Sequence, residues 1–511
     1  MTSRLAVAGT VLCAALATSC APKEEAGAPR DIPGAGELTA APTPPTFLDD
    51  ATYPRWRVAA EDEPYTAING VRLKGFVADQ VAIAHRSRER GEQWWGRIIG
   101  SDADAESAAW MAEKLREAGV PDVRIQELDL PPQWRPVSWQ VSVSLGPETV
   151  TLESAMPFTR TAPTPNDGLD LELVYVGLGT PADYLGRDVR GKAVLIHSVA
   201  RQNAWQHGAQ RNGSVERAVD GGAAAVLVAI GMPGNRKTQT SVRGALPDDM
   251  TGFALGEEDG GRIRATIERA ALSGGVARAS LRLDTTMVDG LTTANVWGVI
   301  PGTTDEDVVV IAHRDGYFEA ANDNATGVAS AIGVAEYFMR VPAAERRRTI
   351  KIIGTPGHHN GGAAGIEWLA EHRDTELANT ALLINFEHTA AAHVNLYGPR
   401  HRATNMPVTF HWFVGVGSEL EPRVFEAWDA FGVPRYTDRD ARPAGEIGRI
   451  FRFAPSLQLI EGGMYYHTDQ DSLETIPPSG LENTTRSYAK IIDQVNSFDR
   501  SQLRSPEQAD P

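Results

Sequence analysis

Four short apolar runs, each followed by a histidine or a carboxylate, constrain this chain more than any other feature. Val308 to Ala312 runs into His313-Arg314-Asp315, and Ile350 to Gly354 is followed shortly by His358-His359. Leu382 to Phe386 ends in Glu387-His388, and Leu457 to Ile460 leads to Tyr466-His467-Thr468. Short runs that are apolar throughout read as strands buried on both faces, and the helical stretches between them read as the layers that bury them. One such stretch, Ala325 to Val341, is apolar nearly all round, which predicts a helix inside the core. Open α/β sheets place their sites beyond the carboxyl ends of their strands, so the four ends can converge on one place. The loop before the buried helix adds Ala321-Asn322-Asp323-Asn324-Ala325-Thr326-Gly327.

The residue types at these ends suit metal chemistry. The chain has two cysteines, Cys13 and Cys20, so a disulfide framework and a thiolate cluster are both excluded. Any metal must be held by His, Asp and Glu. Nine of the twelve histidines lie between 313 and 467, which concentrates the available ligands where the strand ends fall. Two metal ions about 3.5–4 Å apart need a bridging group, and a carboxylate with two oxygens serves. Asp323 suits that role, with Gly327 permitting a tight entry into the helix. Asp315 lies two residues beyond His313, and in an extended segment such side chains point the same way. Its carboxylate is therefore placed to accept the second ring N–H of His313. Spacing alone leaves two plainer readings open, Asp315 as a turn cap and Asp323 as a helix N-cap.

The length of 511 residues suggests two or three domains. With 42% hydrophobic and 23% charged residues, a large core is affordable and general disorder is excluded. A formal charge of −17 argues against a nucleic-acid partner. Arg4, the apolar run Leu5 to Ala17 and Ala17-Thr18-Ser19-Cys20 resemble a bacterial lipoprotein signal, in which Cys20 would be lipidated. The plain secretory signal is the other reading, and both export the protein. Ala21 after the anchor points, by resemblance to lipoprotein sorting, to the outer membrane, facing the periplasm or the cell surface. The stretch after Cys20, rich in Ala, Pro, Glu and Gly, reads as a flexible tether. No other apolar run is long enough to span a bilayer. Ala105 to Ala118 has helical spacing, and Trp139 to Leu145 alternates like a strand. Between 155 and 285, short strands alternate with Gly-rich turns and carry no cluster of ligands or nucleophiles, so this part reads as a separate, non-catalytic module.

At these residues the chain resembles the co-catalytic di-zinc aminopeptidase and glutamate-carboxypeptidase family of metallopeptidases. The resemblance rests on Asn295-Val296-Trp297-Gly298-Val299-Ile300-Pro301-Gly302, Ala312 to Asp315, Ala321 to Gly327 and Tyr466-His467-Thr468-Asp469-Gln470-Asp471-Ser472. Arg97-Ile98-Ile99-Gly100-Ser101 and the helix after it resemble the family's opening segment. The stretch 155–285, with Val189-Arg190-Gly191-Lys192-Ala193-Val194-Leu195-Ile196, resembles the protease-associated (PA) domain often inserted in such enzymes. The resemblance implies an α/β fold: a three-layer αβα phosphorylase/hydrolase-like catalytic domain with a mixed, mostly parallel sheet, plus an inserted mainly-β PA domain. The expected order is signal peptide 1–19, tether 20–50, catalytic part 51–154, PA domain 155–285, main catalytic part 286–500 and disordered tail 501–511.

The resemblance also implies two divalent metal ions, zinc, acting on a water that attacks an amide carbonyl. His313, Asp323 and Glu387 would bind the first ion, Asp323 would bridge, and His467 would bind the second, with Asp315 orienting His313. Glu387 stands where the family more usually has Asp. The larger departure is His358-His359 in Thr355-Pro356-Gly357-His358-His359-Asn360-Gly361-Gly362, where the family has two adjacent glutamates. There the first glutamate is the general base and the second a ligand. His359 as a ligand is chemically ordinary and raises the net charge of the site by one. His358 can serve as the base, since an imidazole titrates near pH ~6.5, and nearby dications would keep its ring neutral while weakening it as a base. Tyr465, Tyr466 and Trp412 are candidates to line a peptide or small-amide pocket, and Arg400 and Arg402 to receive a substrate carboxylate; core packing and a solvated loop are the plain readings. Two other functions stay open: a catalytically inactive binding lipoprotein on the same fold, and a metal-dependent amidohydrolase or cyclase acting on a non-peptide amide. Oligomeric state and the end from which cleavage starts are not determined by these residues.

Overall fold

The apolar runs do become a sheet. The computed structural model describes residues 47, 49–52, 55, 57–200, 205–397, 400–407, 410–414, 418–433, 435–437, 443, 445–460 and 463–504. Cys20, the signal and nearly all of the tether lie outside these. The four runs form four adjacent parallel strands, in the order Thr349–Thr355, Asp307–His313, Thr380–Phe386 and Ser456–Ile460. Thr292–Ile300 pairs antiparallel beside Thr349–Thr355, and Asp122–Asp129 pairs antiparallel outside it. On the far side Phe410–Val414 runs antiparallel to Ser456–Ile460, and Arg435–Thr437 closes the eight-stranded sheet. His313 registers with Thr355, and Ile311 with Asn385. The carboxyl ends of these three strands are therefore level at one edge.

Alternation along each strand feeds two separate cores. Val308, Val310, Ala312, Ile350, Ile352, Leu382 and Ile384 pack on the face covered by helices Gly70–Glu89, Asp102–Glu117, Thr326–Arg340, Leu420–Phe431 and Pro478–Val495. Val309, Ile311, Ile353 and Leu383 pack on the other face, under helix Ala364–Glu371. Fully burying one such side chain contributes about 1.5–3 kcal/mol, so strands apolar on both faces are stable only in a covered sheet. Thr326 to Ala335 is buried without interruption, as expected for the helix predicted over 325–341. Gly327 has a sharper reason than a tight entry: a Cβ there would lie 2.1 Å from the Phe386 carbonyl oxygen. The helix start is thereby pressed onto the end of the third strand.

The part expected to be mainly β is mixed. Its eight-stranded sheet contains the parallel series Leu169–Tyr175, Ala193–Val199, Ala225–Gly231 and Thr251–Leu255, with helix Glu257–Ser273 beside it. Gln133–Leu145 pairs along its length with Ala277–Val288, and Glu148–Thr151 pairs with Gln133–Leu145. Gln133–Leu145 and Glu148–Thr151 lie before residue 155 and belong to this same sheet. Arg500–Leu503 is a short helix with Leu503 buried, and the rest of the stretch expected as a tail, from 505 on, lies outside the described residues.

Candidate metal centre

His313 ends its strand, fully buried, with Nδ1 3.1 Å from the Asp315 backbone oxygen. That contact leaves Nε2 facing Asp323 Oδ1 at 3.2 Å. His388 Nε2 meets the same oxygen at 2.9 Å. The other oxygen, Oδ2, faces His359 Nε2 at 3.3 Å and His467 Nε2 at 3.1 Å. The Asp323 carboxylate thus stands between two pairs of imidazoles. Adjacent ligand atoms of a tetrahedral zinc ion with bonds of about 2.0–2.1 Å are about 3.3 Å apart. The contacts to Asp323 lie close to that edge length. His313 Nε2, both Asp323 oxygens, His359 Nε2, Glu387 Oε1 and His467 Nε2 are buried and make no hydrogen bond. A buried polar atom left so costs about 1–3 kcal/mol, and cations held on either side of the Asp323 carboxylate would satisfy them. The donor set therefore fits the divalent ions that the family resemblance implies.

Electrostatics within the cluster agree. Burial pulls the His313 imidazole down, but the contact with Asp323 and the charges of Asp323, Asp315 and Glu387 win and push it up to about 10. Burial would raise Asp323, but His359 and His388 outweigh it and hold this carboxyl well below its ordinary range. Imidazole ligands bind a metal ion in their neutral form, so metal binding at His313 would release its proton. Burial carries His467 down to about 4, and burial with the charges of His313 and His359 carries His358 well below an ordinary imidazole.

Asp315 holds something other than His313. Its Oδ1 accepts the backbone N–H groups of Gly357 at 3.0 Å and His358 at 3.1 Å, and its Oδ2 accepts that of His359 at 2.9 Å. The carboxylate lies 3.7 Å from His313 Nδ1, whose nearer partner is the backbone oxygen. The direction expected from i, i+2 spacing is right, but three amides have the first claim on the oxygens. Asp315 fixes the turn that presents His358 and His359. The His358 ring stacks on His313 at 4.2 Å, with Nε2 3.6 Å from Glu387 Oε1. Glu387 Oε1 lies 3.9 Å from His313 Nε2, while Oε2 accepts from Asn385 Nδ2 at 2.6 Å.

Buried arginines brace the strand ends. Arg97 donates to the backbone oxygens of Arg314, Glu319 and Ala320 at 2.8–3.0 Å. Arg314 pairs with Asp104 at 3.2 Å and donates to the Ala294 oxygen at 2.6 Å. Asp471, inside the closing motif but given no role from sequence, accepts the N–H groups of Asn322 at 2.8 Å and Asp323 at 3.1 Å. The module read as non-catalytic also reaches the centre: His467 Nδ1 lies 3.3 Å from the Gln239 oxygen, which leaves Nε2 for Asp323. Trp205 packs edge-on to His467 at 5.5 Å.

Of the weaker candidates, Tyr466 borders the cluster, stacked on His467 at 4.0 Å. Tyr465 does not join it. It is buried among the apolar side chains of the second sheet, against Phe47, and is a packing residue. Arg400 lies in strand Arg400–Pro407, and its side chain, like those of Arg402 and Trp412, lies outside the described residues. A cleft of about 390 Å³ opens beside the cluster, lined by Thr159, Arg160, His358, His359, Asn360 and Glu446 among others. Glu446 had no signal in the sequence. It is buried, accepts from Thr355 Oγ1 at 2.6 Å, and burial pushes its carboxyl up to about 8.

Residues 295–492 match the model of Peptidase family M28. The probable glutamate carboxypeptidase VP8 of Zea mays is 23% identical over 445 residues, which cover 75% of this chain and 61% of that protein. The chain therefore spans less than two thirds of the curated relative it matches. The Peptidase M28 precursor of Shewanella amazonensis SB2B superposes with a TM-score of 0.64 at 19% identity, covering 87% of this chain and 99% of that one. BSAP, a zinc aminopeptidase from Bacillus subtilis, gives 0.59 at 18%, covering 86% and 98%. These two likenesses show the fold.

Proposed function

We propose that this chain is a zinc-dependent peptidase that hydrolyses peptide bonds, an exopeptidase in which His358 replaces the usual general-base glutamate. The observation that carries the reading is the Asp323 carboxylate set between four imidazole nitrogens at 2.9–3.3 Å. His313, Asp323 and Glu387 would hold one ion, and Asp323, His359 and His467 the other. The bound ions supply a polarised substrate carbonyl and a water whose pKa is lowered toward neutrality. His358, kept neutral by its surroundings, takes a proton as the water oxygen bonds to the carbonyl carbon, and returns it to the amine nitrogen as the C–N bond breaks. Asp315 holds the His358-His359 turn through three amides. The cleft beside His358 accommodates the substrate.

We read residues 155–285 as the PA module, and the chain as an exported lipoprotein anchored through Cys20 in the outer membrane; the signal-like sequence up to Cys20, with Ala21 after it, is the support for the latter. The test of the activity uses the full chain in detergent, stripped by chelator and reloaded with zinc, on free, N-acetylated and C-amidated dipeptides. Cleavage of free peptides that vanishes on stripping and returns with zinc is expected. Turnover of acylated amides alone would make the chain an amidohydrolase, and binding without turnover would make it a binding protein.

A further inference from the structure

The ligand set proposed above leaves His388 out, as the resemblance does, because the strand that ends at Phe386 already delivers Glu387. The geometry does not leave it out. His388 Nε2 is 2.9 Å from Asp323 Oδ1, the shortest of the four imidazole contacts to that carboxylate. His313, Glu387 and His388 present ligand atoms within 4.8 Å of one another, all three buried. The backbone at His388 takes a φ of 53°, in the left-handed region that a side chain of this kind rarely enters. His467 does the same at 59°. Such conformations persist where the surroundings over-determine them, and they cluster at functional sites.

The surroundings here are specific. Asn324, the residue after Asp323, accepts the His388 backbone N–H at 3.0 Å through Oδ1 and donates through Nδ2 to the Phe386 oxygen at 2.8 Å. One side chain thus ties the turn that carries His388 to the loop that carries Asp323. Tyr466 packs edge-on to the His388 ring at 4.9 Å, and it also stacks on His467.

We infer that His388 is a ligand of the first metal ion, so that each Asp323 oxygen shares its ion with two imidazoles, His313 and His388 on one side and His359 and His467 on the other. The inference rests on the two-metal reading above and deepens it. The centre then offers four imidazoles and two carboxylates. Such a set favours zinc, cobalt, nickel or copper, and disfavours magnesium and manganese, which prefer oxygen ligands.

The competing account is a plain ion pair between His388 and Asp323. The full-length protein and its His388→Gln variant are loaded with zinc and titrated against a chelator of known affinity, with metal counted per chain. The wild type is expected to hold two ions, and the variant to lose one of them, a larger effect than the about 10–100-fold weakening that removing a hydrogen-bond partner of a ligand brings. His388→Asp, which returns a ligand atom, is expected to recover the lost ion. Wild type and His388→Gln with two ions at equal affinity would overturn the inference and leave the peptidase reading standing. A wild type that binds no zinc would overturn both. Should His388→Gln fail to fold, the crystal structure of the zinc-loaded wild type decides: Nε2 within about 2.0–2.1 Å of zinc supports the inference, and beyond about 3 Å it falls.

Discussion

Asp323→Ala is expected to abolish binding of both metal ions and to lower peptide hydrolysis by at least about 10⁴-fold, with the fold retained. Among the described residues, Asp323 is the one group that faces both pairs of imidazoles, through different oxygens. Removing any single histidine takes one ligand from one ion, whereas removing Asp323 takes one from each and the bridge between them. The loop carrying it is held independently, by Asp471 on the Asn322 and Asp323 amides and by Arg97 on the preceding carbonyls. An unchanged circular-dichroism spectrum with no bound zinc is therefore the expected pair of results. Two tightly bound ions in Asp323→Ala would contradict the bridging role.

Asp315→Ala is expected to weaken one metal position and to lower kcat by about 10²–10³-fold without contact between Asp315 and substrate. The change strands three backbone N–H groups, those of Gly357, His358 and His359, in a partly buried turn. Hydrogen bonds to a charged group are worth about 1.5–3 kcal/mol each, and part of the lost energy is recovered by relaxation of the turn, so the protein should lose about 2–5 kcal/mol of stability. Asp315→Asn keeps an acceptor for some of these amides and should fall between. Zinc titration, thermal unfolding and steady-state kinetics on the three proteins check this. If Asp315 merely oriented His313, the loss would fall on the His313 ion and His359→Ala would leave it untouched. If it fixes the turn, the loss falls on the ion held by His359. Two ions at wild-type affinity in Asp315→Ala would contradict both roles.

Most of the catalytic scaffold is legible in the chain because burial on both faces writes itself as uninterrupted apolar runs. Val308–Ala312, Ile350–Gly354, Leu382–Phe386 and Leu457–Ile460 are the four adjacent parallel strands, and the rule on strand ends then brings His313, His359 and Glu387 to one edge. What was not legible depends on competition in space. The i, i+2 geometry aimed the Asp315 carboxylate correctly, but no local pattern shows that three amides from 357 to 359 would reach it first. His388 was visible as a residue, yet adjacent side chains of an extended segment point apart, so Glu387 and His388 do not look like co-ligands. Only the left-handed backbone at His388 turns its ring back to Asp323. Gln239 stands 228 residues from the His467 it faces, on a segment with no chemistry of its own. Tyr465 and Tyr466 differ by one position and part company, one into the second sheet's core and the other onto His467.

The central claim is a two-metal centre built on Asp323, and metal content measures it most directly. Full-length protein reloaded with zinc and freed of loosely held ions is analysed for zinc per chain beside His359→Ala. The account predicts about two ions in the wild type, falling to about one in the variant, since His359 faces only Oδ2 of the bridge. No zinc in the wild type, or two ions held unchanged by His359→Ala, would contradict it.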